Sequence, residues 1–172
     1  MFSRRTLTSF ALGLSLLALT ACGGKTEEKA APKSADTWFD LKIGDRTVRL
    51  QLAALPPEQE RGLMFRKEMG RDEGMLFVFT APQRMAFWMR NTTLPLDIGY
   101  LDPQGVLREI YPMYPLDERS VRSRAMDLQF ALEMNQGWFK ANGVKPGAKL
   151  DLAAVRDALR ARGLNAEMFG LR

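Results

Sequence analysis

The chain has 172 residues, of which 46% are hydrophobic and 26% charged, and it carries a formal net charge of +5 at pH 7. It contains no histidine, which excludes Ser-His-Asp and Cys-His nucleophilic sites, histidine zinc ligands and histidine general bases. The positive charges are scattered among acidic residues, so we expect no nucleic-acid partner.

The first 21 residues have the features of an export signal. Arg4 and Arg5 form a short positive region, and residues 10–19 form an apolar stretch much shorter than the ~20 residues of a membrane span. Removing residues 1–21 takes away these two arginines and lowers the net charge from +5 to +3. The arginine pair also resembles a twin-arginine export signal, so general and twin-arginine export are both open.

The only cysteine, Cys22, lies directly after Leu19-Thr20-Ala21. This sequence resembles the lipobox of bacterial lipoproteins, which implies a lipid on the Cys22 sulfur and the membrane as a partner through that lipid. We therefore expect an extracytoplasmic protein. Because Gly23 rather than aspartate follows the cysteine, we expect the periplasmic face of the outer membrane if the source is Gram-negative. A lipidated Cys22 leaves no thiol for a disulfide.

Residues 22–37 begin with the cysteine and contain no large apolar residue after it, which predicts a flexible tether. Apolar and polar residues then alternate over 39–43 and 48–52 around Gly44-Asp45, which predicts two strands joined by a tight turn. Pro56-Pro57 and the acidic residues after them predict a short helix that ends near Arg66.

The rest of the chain predicts short strands, a long loop and a final helix. Residues 75–79 form an apolar run typical of a strand buried on both faces, whereas residues 128–134 alternate as a half-buried strand does. Further strands are predicted at 85–90, 96–101, 106–111 and 149–152, a surface loop at 111–127, and helices at 135–142 and 153–162. We expect one α+β domain over 38–172, mainly antiparallel β, as a small curled sheet or barrel-like domain with two or three short helices.

Several short motifs in the middle of the chain occur in a distinctive order. They are Arg61–Met64 (RGLM), Gly74–Phe77 (GMLF), Phe87–Thr92 (FWMRNT), Pro95–Ile98 (PLDI), Leu132-Glu133 and Gly137. Over about residues 38–150 the chain resembles the DUF192 family of small prokaryotic proteins, a domain of unknown function. The resemblance implies a compact, mainly β domain that is often exported, and it implies no established activity. One departure is Gly147-Ala148, where the family commonly has a Gly-Asp pair.

Five polar residues are candidates for a ligand-binding site. Asp97 lies between Leu96 and Ile98 in an apolar stretch, where an unpaired charge is costly, so it needs a partner. The candidates are Arg61, Arg90, Asn91, Asp97 and Glu133. One alternative is that the same residues form a buried structural network that pins loops to the sheet, and another is that Glu133 faces water from its strand.

Three functions are compatible with this sequence. The first is a lipid-anchored, non-enzymatic domain that binds a small molecule, an envelope polymer or a protein partner. The second is an envelope polysaccharide hydrolase or lyase that uses Asp97 and Glu133 as a carboxylate pair. The third is a structural accessory subunit, which would expose an apolar patch. We expect no cofactor and no metal, since the methionines that could bind copper(I) lack Met-x-Met or Met-x-x-Met spacing.

Overall fold

A computed structural model of the chain describes residues 31–172, which form one compact unit. The strands are β1 (Phe39–Ile43), β2 (Arg46–Ala53), β3 (Glu73–Gln83), β4 (Ala86–Phe87), β5 (Leu96–Leu101), β6 (Leu107–Met113), β7 (Val121–Arg122) and β8 (Leu128–Asn135). The helices are α1 (Pro56–Arg61), α2 (Trp138–Ala141), α3 (Leu152–Ala161) and a 3₁₀ helix at Ala166–Phe169. The signal peptide and the lipidation site predicted at residues 1–22 lie outside the described residues.

Six strands form one open sheet in the order β1-β2-β3-β8-β5-β6, and β4 and β7 form a separate two-stranded sheet. All neighbours in the large sheet are antiparallel except β2 and β3, which are parallel and are connected through α1. The predicted α+β class with a mainly antiparallel, curled sheet is confirmed. The sheet does not close into the alternative barrel, because β1 and β6 are not paired with each other.

Both faces of the large sheet are covered. On the first face, Leu76, Phe130 and Leu132 pack with α2 and with the apolar side of α3. On the second face, β3, β5 and β8 contribute a separate cluster that includes Phe77 and Ile98. This second cluster lies under α1, the β4–β7 pair and the loops around them, rather than under long helices.

Some local predictions differ from the structure. Only Ala86–Phe87 of the predicted strand 85–90 is a strand, and 149–152 contributes isolated bridges to Ile43 and Val106 instead of a full strand. The predicted loop 111–127 contains the end of β6 and all of β7. α3 begins and ends one residue before the predicted helix.

The end of the predicted tether contacts the domain. The backbone N–H of Lys33 donates to the carbonyl of Ala161 at 2.9 Å, and the Gln51 amide donates to the carbonyl of Asp36 at 2.9 Å. Residues 31–37 therefore pack against the sheet and α3. Within the described range no helix is both long and apolar enough to cross a membrane.

Candidate functional site

Glu133 is a buried carboxyl at the centre of the large sheet. It lies on β8 opposite Met75 of β3 and Ile98 of β5, so its side chain shares the second face with theirs. The residue is 4% exposed, and no group within residues 31–172 forms a hydrogen bond with the carboxyl. Burial raises the pKa of Glu133 from 4.5 to about 8. The carboxyl is therefore mainly protonated at neutral pH, and the alternative in which Glu133 faces water is wrong.

A cavity of about 420 Å³ lies over this carboxyl, and we call it the Glu133 cavity. Its volume is within the range of about 300–1,000 Å³ that is common for small-molecule sites. Large apolar side chains form much of its wall: Leu63, Met64, Phe77, Met85, Phe87 and Trp88. Its polar lining includes Gln59, Glu60, Arg61, Arg84 and Thr92. The exposed residues of this lining mark where the cavity opens, so Glu133 is at its floor.

Arg61 is placed at the mouth of the cavity by the end of α1. It is the last residue of the helix and is followed by Gly62, whose φ of +46° suits glycine. A side chain at position 62 would also approach the Phe77 ring to within 3.2 Å. Arg61 is exposed and belongs to no ion pair among the described residues. It also lines two adjoining cavities of about 380 Å³ each.

Arg84 is a second cation at the mouth, and the sequence analysis missed it. Its Nε donates to the carbonyl of Ser123 at 3.1 Å. Ser123 is in turn fixed, because its hydroxyl accepts from the backbone N–H of Met85 at 3.0 Å and donates to the carbonyl of Ala125 at 2.8 Å. No acidic side chain in residues 31–172 pairs with Arg84. No local sequence signal marks Arg84, because the contact that orients its side chain is made with Ser123, 39 residues later.

Arg90 and Asn91 lie beside the Glu133 cavity but do not line it. They line one of the adjoining cavities together with Arg61 and Trp88. The Arg90 guanidinium is 5.5 Å from the centre of the Trp88 ring, a cation–π contact. The carbonyl of Asn91 accepts from the backbone N–H of Phe65 at 2.8 Å.

Three loops meet near these residues in an unusual backbone conformation. Phe65, Asn91 and Leu116 are the non-glycine residues with positive φ among residues 31–172, at 63°, 55° and 61°. Phe65 is linked to Asn91 as described, and Leu116 donates to the carbonyl of Thr92 at 3.0 Å. Phe65 and Leu116 are nevertheless 67% and 60% exposed. Such conformations cost free energy and concentrate at binding sites, and two of the three residues, Phe65 and Asn91, line a cavity that adjoins the Glu133 cavity.

Asp97 lies on the other face of the sheet from Glu133. It pairs with Met134, which belongs to the first cluster, whereas Ile98 shares the second face with Glu133. One carboxylate oxygen of Asp97 accepts from the backbone N–H of Gly137 at 2.8 Å. Burial raises the pKa of Asp97, and this hydrogen bond partly offsets the rise. Neither Arg61 nor Arg90 pairs with it, and the contact with Gly137 fits a structural role.

The five candidates therefore do not form one site. Arg61 and Glu133 line the same cavity, Arg90 and Asn91 line a neighbouring one, and Asp97 is separated from all four by the sheet. The carboxylate pair required by the hydrolase or lyase hypothesis is not assembled. Within residues 31–172 no group of three or more acidic or cysteine side chains is arranged to hold a metal.

Comparisons with known proteins agree with the mainly β domain described above. The family model of DUF192, described as an uncharacterized ACR, matches residues 39–152. A crystal structure from Sinorhizobium meliloti 1021, provisionally described as a transcription regulator, is similar at 32% identity and a TM-score of 0.65, covering 69% of this chain and 96% of that one. A protein of unknown function from Novosphingobium aromaticivorans DSM 12444 is similar at 34% identity and a TM-score of 0.64, covering 72% and 94%. No curated protein matches the chain.

Proposed function

Since this chain belongs to the DUF192 family, whose function is unknown, we propose from its site that the domain binds a small, largely apolar molecule in the Glu133 cavity. The supporting observation is the Glu133 carboxyl, which lines an open cavity and has no hydrogen bond to another group of residues 31–172. A ligand that displaces water from this carboxyl must supply a hydrogen-bond partner, because an unpaired polar group away from water costs free energy. The domain is proposed to act by binding, without catalysis.

The protonated state of Glu133 defines the contact at the floor. A neutral carboxyl is both a donor and an acceptor, so its hydroxyl can donate to a ligand oxygen while its carbonyl accepts. The walls contributed by Phe77, Phe87 and Met85 suit an aromatic or branched aliphatic body. A ligand with an apolar body and one oxygen at its buried end fits both features.

Methionine methyl groups provide a test of this site. Met64 and Met85 line the Glu133 cavity, whereas Met134 is in the cluster on the other face of the sheet. A library of aromatic and aliphatic acids, alcohols and amines is titrated into the full chain carrying Cys22→Ser, and the methyl resonances are followed by NMR. We expect a ligand that shifts Met64 and Met85 and leaves Met134 unchanged.

Two variants separate binding from general effects on the fold. Glu133→Leu removes both the hydroxyl donor and the carbonyl acceptor at similar side-chain size, and we expect it to weaken binding about tenfold, the effect of one hydrogen bond. Asp97→Asn changes a carboxyl on the other face and should leave affinity unchanged. Equal affinity in Glu133→Leu and the parent chain, or ligand shifts confined to Met134, would refute the proposal.

We also propose that the domain is attached to the membrane through a lipid on Cys22. The support is the sequence Leu19-Thr20-Ala21-Cys22 after a short apolar segment. A lipid anchor would keep the binding domain at the envelope, on the periplasmic face of the outer membrane in a Gram-negative source. An envelope polymer or a protein partner is then within reach as an alternative ligand.

Metabolic labelling with a palmitate analogue tests the anchor. The parent chain should incorporate label and fractionate with membranes, whereas Cys22→Ser should do neither. Equal labelling of the two chains would exclude lipidation at Cys22.

A further inference from the structure

We propose that the ligand of the Glu133 cavity is an organic anion whose charged end lies at the mouth between Arg61 and Arg84. This inference rests on the proposed function, because it names the ligand class for the same cavity. It assigns a role to Arg84 and gives the ligand an orientation, with its charged end toward solvent and its other end at Glu133.

The charges of the cavity support an anion. Arg61 and Arg84 contribute two positive charges to the lining, and Glu60 contributes one exposed negative charge. Glu133 is the other carboxyl in the lining, and its burial keeps it mainly neutral at neutral pH. The lining thus has an excess of one positive charge, located where the cavity opens. This excess positive charge would repel a cationic ligand and attract an anionic ligand.

The two arginines differ in how they are held. The hydrogen bond from Arg84 Nε to Ser123 orients that guanidinium, and its terminal amino groups have no acceptor within residues 31–172. Arg61 makes no ion pair within the same residues and its exposed side chain can move toward a ligand. A guanidinium presents several donors in one plane and pairs well with carboxylate or phosphate oxygens. One fixed and one adjustable arginine can therefore accept anions of slightly different size.

The apolar wall separates the two polar ends of the cavity. Phe77 and Phe87 meet edge to face with ring centres 4.8 Å apart, and both line the space between the mouth and Glu133. An inorganic anion would leave this wall and the floor without contacts. The geometry is better matched by an anion that carries an aromatic or aliphatic body.

Three probes with the same body and different heads test this inference: phenylbutyrate, phenylbutanol and phenylbutylamine. Their dissociation constants for the full Cys22→Ser chain are measured by calorimetry at pH 7 and low salt, and their position is read from the Met64 and Met85 methyl resonances. We expect phenylbutyrate to bind about tenfold more tightly than phenylbutanol, and phenylbutylamine to bind most weakly.

Charge-removing variants locate the head group. Arg61→Gln and Arg84→Gln should each weaken phenylbutyrate about fivefold and leave phenylbutanol unchanged. Arg160→Gln, on α3 over the other face of the sheet, removes the same charge and should change neither probe. If Arg160→Gln weakens phenylbutyrate binding as much as Arg61→Gln and Arg84→Gln do, the effect comes from net charge in general and the inference is overturned.

The outcomes distinguish this inference from the proposed function. If phenylbutanol or phenylbutylamine binds as tightly as phenylbutyrate and still shifts Met64 and Met85, the anion inference fails and the binding cavity stands. If none of the three probes shifts these resonances, the proposed function fails together with it.

Discussion

Glu133 is held in surroundings that favour its neutral form, and this couples folding to pH. The folded-state pKa is about 8 against an ordinary 4.5, so between these values the folded chain keeps a proton that the unfolded chain releases. The contribution of this group to stability is fully present below about pH 4.5 and is lost as the pH rises toward 8.

The first prediction concerns Glu133→Gln. In the parent chain the free energy of unfolding should fall between pH 5 and pH 8, by up to about 1.4 kcal/mol per pH unit from this group. Gln cannot ionise, so the variant should lack this part of the slope. Urea denaturation at several pH values measures the difference. Parallel pH profiles for the two chains would show that Glu133 is ionised in the folded protein.

The second prediction concerns the left-handed backbone at Phe65. Its φ of 63° strains a residue with a Cβ, whereas glycine adopts this region freely, and the side chain is 67% exposed. Phe65→Gly should therefore be more stable than Phe65→Ala by about 1 kcal/mol, as measured by urea denaturation. This order is opposite to that for an ordinary backbone conformation, where alanine is favoured. If Phe65→Ala is the more stable variant, Phe65 is not strained.

At the residue scale, the sequence predicted which face of a strand a side chain lies on better than it predicted whether that face is buried. Alternation over Leu132, Glu133 and Met134 placed Glu133 on the opposite face of β8 from its neighbours, as observed. The pattern could not show that a second layer covers that face. Burial of Glu133 depends on α1 and the β4–β7 pair, which are distant in sequence, and its partnerless carboxyl is therefore a tertiary property.

At the scale of elements, α1 is joined to the end of α3 by a buried ion pair. The Arg162 guanidinium donates to both carboxylate oxygens of Glu58, and it also donates to the carbonyl of Leu52 at 2.7 Å. Glu58 further accepts from the backbone N–H groups of Ala54 and Leu55 at 3.0 Å each, before the helix begins. Burial acts to raise the pKa of Glu58, but the Arg162 and backbone hydrogen bonds outweigh it and lower the pKa. The helix that ends in Arg61 is thus positioned from the other side of the sheet.

The third prediction follows from this ion pair. Arg162→Ala would leave the largely buried carboxylate of Glu58 without its cation, which costs about 3 kcal/mol of stability. Arg160→Ala removes an exposed arginine from the same helix, with only a 4.0 Å contact to Asp157, and should change stability by less than about 0.5 kcal/mol. Thermal and urea denaturation compare the two variants. Similar losses in both would mean that the Glu58–Arg162 pair adds little.

Elements with strong periodicity were predictable, and those defined by partners were not. α3 was located to within one residue, because Val155 and Leu159 mark its buried side and Gly163 follows its end. The predicted length of β4 was too great, because the strand extends only as far as its pairing with Val121–Arg122 and not along its whole apolar run. The strand predicted at residues 149–152 is absent, because these residues form only isolated bridges, to Ile43 and to Val106.

At the scale of the whole molecule, residues before position 38 contact the sheet and α3. Gln51 is 4% exposed; its amide donates to the carbonyl of Asp36, and its oxygen accepts from Arg66. The chain before residue 38 therefore supplies a buried side chain with one of its partners. Composition could not reveal this contact, because it is made by a backbone carbonyl.

The fourth prediction concerns this boundary. A chain of residues 38–172 should fold but be less stable than residues 31–172 by about 1–2 kcal/mol, because the Gln51 amide loses its acceptor. Urea denaturation measures the difference. Gln51→Met should lower the free energy of unfolding less in the shorter chain than in the longer one, because the shorter chain already lacks the hydrogen bond from Gln51 to Asp36. Equal stability of the two chains would place residues 31–37 outside the cooperative unit.

The position of β8 has a consequence for how this chain is made. β8 starts at Leu128, yet it lies between β3 and β5, so the strands synthesised before it form two separate pieces, β1-β2-β3 and β5-β6. Pairs such as Val78 with Phe130 close long loops, which slows folding. A growing chain cannot complete its sheet until most of the domain has left the ribosome. Until β8 emerges, the β1-β2-β3 and β5-β6 pieces each lack the strand that joins them, and their inner edges have unpaired backbone groups.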